Sequence, residues 1–456
     1  MREDRIAGKN VAVIGAARSG LAASLLLSRH GANVFVSDNR NREALLSEIE
    51  TLESNNIEYE TGGHTDKVTQ GMSFVVISPG VPPDAPVVRM IENAGVPQVS
   101  EIELGYWMCD GHIAGITGSN GKTTTTTLTG EIFKKGVGKA FVAGNIGNPF
   151  CDICDKVPED GWVVLEVSSA QLEKCYEFRP EIATILNLTP DHLDRYGNFD
   201  TYAETKMRIG EQQTEDDAFV ANFDDTYLVR LSTRLPGRKY YFSTSERVSP
   251  GAFIEDGELV FRTNGDVKTI MPVSDILLPG PHNLSNCAAS ATMALIAGIG
   301  SDVIRDVISN FKGVEHRLEK CGKIGGVSFI NDSKATNVDS VWYALQSVPG
   351  KLVVIMGGRD KAGDFSRLNT LLEQHAIAVV LIGEASDKIA KTLGEIVPLH
   401  RATDMYEAVR VSYGLAVPDG TVMLSPACAS FDMFTDYEHR GRVFKESVAK
   451  LQKEVG

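Results

Sequence analysis

No stretch of the 456 residues approaches the ~18 consecutive apolar side chains that a membrane-spanning helix needs. Residues 1–13 also lack the apolar core of a secretory signal peptide, so a cytoplasmic location is expected. Cysteine is scarce and odd in number, seven along the chain, which excludes a dense disulfide framework and fits reduced thiols. Cys151 and Cys154 have CxxC spacing, but no second pair or histidine cluster completes a zinc or redox motif. Two ordinary thiols are the plainer reading. Positive charge is in deficit as well: 45 Lys and Arg against 60 Asp and Glu leave a formal net charge of −15. That balance argues against nucleic acid or an anionic membrane as a main partner. It leaves room for a local anion site made of backbone N–H groups and one or two cations. Low-complexity linkers and short-period repeats are missing too.

What remains is an ordinary globular composition, 43% hydrophobic and 23% charged. At roughly 150 residues per domain the length suggests about three domains. Strand-like apolar runs occur at residues 11–15, 34–38, 74–78, 113–117, 141–144, 163–167 and 182–188, then at 327–331, 352–356, 379–382 and 422–425. Helix-length amphipathic segments such as 21–30 separate them, which implies parallel sheets built from βαβ units. Residues 217–270 read differently. There 240–243, 251–255 and 259–262 are expected to form an antiparallel hairpin insertion turning at Asp256-Gly257. Polar, Gly-rich clusters follow the strands at 15–20, 78–80, 118–123, 144–147, 332–337, 357–364 and 425–430. Ligands in open α/β sheets bind at those carboxyl ends. Several such rims facing one cleft would suit a reaction with several substrates.

The segment GITGSNGKTT, residues 115–124, lies between a strand and a helix-length stretch. Gly118 and Gly121 would let backbone N–H groups of Ser119, Asn120 and their neighbours close around phosphate oxygens at a helix N-terminus. Lys122 would reach the β- and γ-phosphates, and the hydroxyl of Thr123, with Thr124 next to it, would face Mg²⁺. Gly115 and Gly121 enclose five residues where a strict Walker A has four, so the motif is a variant. Glu166 sits in the apolar run VVLEV, where a charge needs a cation. It reads as a metal-side carboxylate, or as a strand-end Glu bonded to a lysine or backbone. Tyr202, Lys206 and Ile209 share one helix face, on which a lysine usually snorkels to water. VAVIGAARSG, residues 11–20, looks like a dinucleotide fingerprint whose middle glycine is Ala17, and Asp38 ends the next strand. Nothing downstream resembles a hydride-transfer site, which disfavours a nicotinamide enzyme.

Taken in order, these motifs resemble the Mur ligase family of peptidoglycan synthesis over essentially the whole chain. The resemblance rests on the 118–123 loop, GNIG at 144–147, LEVSSAQL at 165–172 and DHLDRY at 191–196. It continues through Lys206, HNLSN at 282–286, EHRLE at 315–319, NDSKATN at 331–337 and SPACASFDMF at 425–434. The last two, with SPGV at 78–81, are most similar to the D-glutamate-adding branch. The fold implied is α/β in three domains: a Rossmann-like N-terminal domain (residues 1–101), a P-loop ATPase-like central domain (102–313) and a Rossmann-like C-terminal domain (314–456).

The activity implied is an ATP-dependent acid–amino-acid ligation. The L-alanyl carboxylate of a UDP-N-acetylmuramoyl-L-alanine attacks the γ-phosphorus of ATP, and the amine of D-glutamate then attacks the acyl phosphate. Sister ligases adding another amino acid, and folylpolyglutamate synthase, share this chemistry; a nucleotide-driven switch without acyl transfer is the non-ligase rival. The resemblance assigns Thr123 and Glu166 to one Mg²⁺, and His192 with a carbamylated Lys206 to a second. Asn283, Arg317 and Asp332 match nucleotide contacts, Arg317 bringing a guanidinium to the ATP phosphates. Arg18, Ser19, Asp38, Asn39, Arg40, Ser78, Pro79, Gly80, Asn145 and His192 match the UDP-sugar site. Lys334, Thr336, Lys361, Ser430 and Phe431 match the region receiving the amino acid. The local alternatives are a pair between Arg18 and Asp38, a pair of Arg317 with Glu315 or Glu319, and a His192 bonded to Asp191 or Asp194. Tyr437 stands where the family commonly has Phe. A monomer is expected.

Overall fold

Val11 and Val13 face one apolar cluster and Ala12 and Ile14 another, so the first strand is buried on both faces. Helices must therefore cover both sides of its sheet, and the chain must cross over to bring in each parallel neighbour. The computed structural model describes residues 3–455 apart from 146, 264, 279, 361 and 362. Lys361, assigned from the sequence to the amino-acid site, lies outside the described residues. The chain forms two contact units, described separately: Met1–Leu188 with Arg195–Asp275 and Ser285–Ser309, and Thr189–Asp194 with Ile276–Leu284 and Asn310–Gly456.

The first unit holds two sheets. One contains β1 (Asn10–Ile14), β2 (Asn33–Asp38), β3 (Glu58–Thr61), β4 (Phe74–Ile77) and β5 (Gln98–Ser100) in the order β3-β2-β1-β4-β5, all parallel. Chain order reverses at β1, which puts a crevice beyond the carboxyl ends of β1 and β4. The other sheet contains β6 (His112–Thr117), β7 (Ala140–Gly144), β8 (Trp162–Glu166), β9 (Ile182–Ile185), β10 (Ala218–Asn222), β11 (Arg238–Phe242), β12 (Gly251–Glu255), β13 (Glu258–Thr263) and β14 (Asp266–Pro272). Their order is β14-β13-β12-β11-β10-β9-β6-β8-β7. Here β6 is the reversal point, flanked by β8 and β9.

One expectation needs correction. Of the expected 240–243 run, residues 240–242 belong to β11, which runs parallel to β10 and meets β12 in parallel through Tyr241 opposite Gly251 and Phe242 opposite Ala252. The antiparallel insertion is instead β12-β13-β14. Its first turn is at Asp256-Gly257, whose positive φ of 50° and 80° suit a type I′ hairpin. Apolar composition does not encode strand direction, and the mainly polar start of β14 hid that strand.

The second unit contains β15 (Glu319–Ile324), β16 (Val327–Asn331), β17 (Leu352–Gly357), β18 (Ala376–Ile382), β19 (Leu399–Arg401) and β20 (Thr421–Leu424), ordered β15-β16-β20-β17-β18-β19. Only β15 is antiparallel to its neighbour. Val354 and Met356 point into one core and Val353 and Ile355 into the other, as a doubly covered sheet requires. Among the described residues no helix is long and apolar enough to cross a membrane.

Candidate active site

β6 ends at Thr117 and a helix starts at Lys122, leaving residues 118–121 as the turn between them. Gly121 has φ +83°, and a Cβ there would stand 2.5 Å from Asn286 Oδ1, so both conformation and space exclude a side chain. The turn is pinned by its neighbours. The Ser119 N–H donates to the Asn187 carbonyl at 3.0 Å, the Asn120 N–H to Asn187 Oδ1 at 2.8 Å, and the Tyr202 hydroxyl to Ser119 Oγ at 3.1 Å. Lys122 folds over the loop, with Nζ donating to the carbonyls of Gly118 (2.7 Å) and Ser119 (2.9 Å). Thr123 and Thr124 are buried in the first turn. Among the described residues no side chain caps this helix, so its first N–H groups offer a positive pole to an anion.

Beside β6 runs β8, with Glu166 in register with Ile116. Glu166 is 1% exposed; its Oε1 accepts from Asn145 Nδ2 at 2.7 Å. Its Oε2 is buried without a hydrogen-bond partner among the described residues. Such an oxygen is costly unless a cation comes to it. Glu166 is thus bonded to an amide, not to the lysine weighed from the sequence. Asn145 is held in turn by its own N–H on the Glu166 carbonyl (2.9 Å). Gly144 permits that approach, since a Cβ there would lie 2.2 Å from the same carbonyl oxygen. Lys206 does not snorkel. It is 1% exposed, with Nζ donating to Thr117 Oγ1 at 3.3 Å and standing 4.8 Å from the centre of the Tyr202 ring.

A cavity of about 640 Å³ opens beyond β1 and β4 and extends to β7. Arg18, Ser19, Asp38, Asn39, Arg40, Ser78, Pro79, Gly80 and Asn145 all line it. The sequence-assigned sugar-nucleotide residues of the first unit are therefore neighbours in space. Gly20 makes the crevice: a Cβ on it would fall 1.7 Å from the Gly15 carbonyl oxygen. Asp38 pairs with Arg40, which donates from N, Nε and Nη2 at 2.9, 3.0 and 2.8 Å, and it also accepts from the Ala16 N–H at 2.7 Å. Burial alone would raise the Asp38 carboxyl. The Arg40 guanidinium and the backbone donors outweigh it and hold the group below the usual carboxylate range. Arg18 is not the partner of Asp38; its guanidinium donates to the Gly147 carbonyl. His64 also lines the cavity and belongs to none of the motifs read from the sequence, while Gln171, another lining residue, lies in LEVSSAQL but was given no role there. Arg195, also unassigned from the sequence, donates to both Glu173 oxygens (2.6 and 2.7 Å) and to the carbonyls of Pro79 and Val81 (3.3 Å each). It fastens the loop after β4.

In the second unit, Asp332 follows β16 and is fully buried. Burial pushes its carboxyl up to about 6, against the opposing pull of Arg317, the Ser425 hydroxyl and the Leu318 N–H. Arg317 Nη1 is 3.8 Å from Asp332 Oδ1, while Glu315 and Glu319 pair with Lys445 instead. Asn283 is buried near the start of the helix Pro281–Ile296. His192 adopts φ +52° and its N–H donates to Asp191 Oδ1 at 3.0 Å. Lys334 Nζ donates to the Tyr437 hydroxyl at 3.1 Å and lies 4.7 Å from that ring's centre, so the tyrosine at this position holds the lysine. The Thr336 N–H closes a turn onto the Lys334 carbonyl; Ser430 is buried and Phe431 is 63% exposed. Arg440, missed from the sequence, is 1% exposed and braces this region through Ser333 and the carbonyls of Cys428 and Ala429.

Family models match along the chain: a Mur ligase MurD-like N-terminal domain at residues 9–100, a Mur ligase middle domain at 116–294 and a Mur ligase glutamate ligase domain at 316–428. A UDP-N-acetylmuramoylalanine–D-glutamate ligase of Acidobacterium capsulatum is 45% identical, the alignment covering 97% of this chain and 96% of that one. The ligase of the same name from Koribacter versatilis is 43% identical over 98% and 99%. In fold, the chain is similar to the UDP-N-acetylmuramate–alanine ligase of Thermotoga maritima, with a TM-score of 0.60 and 19% identity over 97% of this chain and 100% of that one. It is likewise similar to a MurF ligase of Thermotoga maritima in complex with ADP, TM-score 0.60, 19% identity over 98% and 97%. With three Mur ligase models matched in succession and relatives aligned over nearly the whole length, the chain belongs to the Mur ligase family.

Proposed function

We propose that the protein joins D-glutamate to UDP-N-acetylmuramoyl-L-alanine, with ATP converted to ADP and phosphate, as a step in making peptidoglycan precursors. The observation carrying this reading is the hydrogen bond from Asn145 to Glu166. It ties a residue of the 640 Å³ cavity to a carboxylate in register with the strand that leads into the phosphate turn. A sugar nucleotide in the cavity would present its carboxylate toward that junction. The relatives' names and the full-length alignments support the substrates.

The carboxylate attacks the γ-phosphorus and ADP leaves. The amine then attacks the acyl carbon, and phosphate departs with one oxygen of the original carboxylate. Little covalent chemistry falls to the protein. Its work is to bring anions together and offset their charge. Lys122, swinging from the loop carbonyls, and the uncapped helix start receive the phosphates; Ser119, Asn120, Gly121 and Thr124 shape that turn. The oxygens of Thr123 and Glu166 suit Mg²⁺, a hard cation that bound there would offset phosphate charge. Lys206 is assigned as a carbamate: an ammonium at a buried position is costly, and the carbamate is an anionic oxygen donor. By motif resemblance His192 joins it as a metal ligand, Asn283, Arg317 and Asp332 serve the nucleotide, and Lys334, Thr336, Lys361, Ser430 and Phe431 serve the amino acid. The domain limits 1–101, 102–313 and 314–456 are part of the same proposal, as is the monomer.

Phosphate release tests it, with ATP, Mg²⁺ and UDP-N-acetylmuramoyl-L-alanine and with D-glutamate compared against L-glutamate, L-alanine and meso-diaminopimelate. Release with D-glutamate alone, with the matching dipeptide product, is expected. Release with another amine would move the chain to a sister activity, and release needing neither co-substrate would remove the ligase reading.

A further inference from the structure

His64 stands at the end of the loop after β3 and lines the same cavity as Asp38, Asn39 and Arg40. Gly62 and Gly63, at φ +78° and +151°, turn the chain there, and the Gly62 N–H donates to the Arg40 carbonyl at 2.7 Å. The loop is thereby fastened to the cavity rim. The proton positions on the imidazole follow from its neighbours. Ser37 Oγ, on the buried end of β2, lies 2.6 Å from Glu60 Oε1 and 2.7 Å from His64 Nδ1. Glu60 is kept ionised: burial raises its carboxyl, but the Ser37 hydroxyl and the Thr65 N–H and hydroxyl lower it further. An ionised carboxylate only accepts, so the single Ser37 proton goes to Glu60. The Ser37–His64 contact must then be donated by the imidazole Nδ1–H. Burial holds His64 below the usual histidine range, with Glu60 and Asp38 pulling the other way, which favours the neutral ring. Nε2 is therefore left as a lone-pair acceptor, with no hydrogen-bond partner among the described residues. The charged groups around the ring are Glu60 from β3, Asp38 at the end of β2 and, bound to it, Arg40 from the loop that follows.

We propose that His64 is a base-reading residue: Nε2, with its tautomer set by the Ser37–Glu60 pair, accepts the ring N3–H of the uracil in the sugar nucleotide. The inference rests on the reading of this cavity as the UDP-sugar site. A carbonyl or carboxylate could accept the same proton, but the cavity's carboxylate, Asp38, is already engaged by Arg40 and Ala16. A neutral imidazole acceptor also distinguishes uracil from a pyrimidine whose N3 bears no hydrogen, because two facing lone pairs repel.

The test is calorimetric binding of UDP and of N3-methyl-UDP to the full chain and to His64→Ala and His64→Phe, the second keeping a ring in place. Thermal melting checks that each variant is folded. The wild type is expected to bind UDP about tenfold more tightly than the methylated analogue, one good hydrogen bond's worth of discrimination. In both variants UDP should weaken and the ratio should fall to within about twofold. Variants that keep the wild-type ratio, or a wild type that binds both ligands alike, would overturn the role of His64. A wild type that binds no UDP would instead overturn the assignment of the cavity, and the inference with it.

Discussion

A carboxylate oxygen shut away from water is tolerable when a cation comes to meet it, and Glu166 Oε2 is buried with no hydrogen-bond donor among the described residues. Glu166→Gln keeps the shape and removes the charge. Phosphate release should fall by about 100-fold or more and need higher Mg²⁺, while the melting temperature stays level or rises. Near wild-type turnover would show that the carboxylate is structural. Lys206→Ala should lose activity that a short-chain carboxylate or excess bicarbonate partly restores, whereas Lys122→Ala should show no such rescue. Full activity in Lys206→Ala would end the carbamate assignment. At this scale the sequence was legible where chemistry clashed with surroundings. Glu166 stood out as a charge within an apolar run, but its Asn145 partner, on another strand's end, did not. Arg40 as the partner of Asp38 also escaped reading, because a two-residue separation pairs only when the loop bends the guanidinium back. His64 carried no motif, although it too follows a strand's carboxyl end after two glycines.

At the scale of elements, turns and their glycines were readable because few residues satisfy them: Gly121 against Asn286, and Gly144 against the Glu166 carbonyl. Strand direction was not, since β11 has the same apolar character whichever way it runs. Nor was the brace from Arg195. Its bidentate pair with Glu173 also reaches the carbonyls of Pro79 and Val81, and so holds the cavity-lining loop after β4. Arg195→Ala should raise KM for the UDP-sugar about tenfold and leave KM for ATP within about twofold. Equal rises in both constants would argue for a general loss of structure.

Across the molecule, the proposed reaction has an acidic chain receive anionic substrates on donors gathered at a few strand ends, while its burial pattern sets a pH dependence of its own. Glu101, fully buried at the start of the helix after β5, accepts from the Cys151 N–H at 2.7 Å. Burial pushes its carboxyl up to about 7, and the Cys151 N–H only partly opposes this. The folded state therefore holds a proton that the unfolded state has released. The associated stability is fully present below the ordinary glutamate range and is lost as pH rises toward 7. That difference is worth about 3 kcal/mol. Glu101→Gln should flatten the fall in melting temperature between pH 5 and 8; an unchanged slope would place the titration elsewhere.

The central claim is that the substrate's own carboxylate becomes the acyl phosphate. It is tested most directly with UDP-N-acetylmuramoyl-L-alanine carrying ¹⁸O in both carboxylate oxygens, supplied with ATP, Mg²⁺ and D-glutamate. One labelled oxygen is expected in each phosphate released and the other in the new amide. Unlabelled phosphate, with the product formed at the same rate, would contradict the acyl-phosphate route.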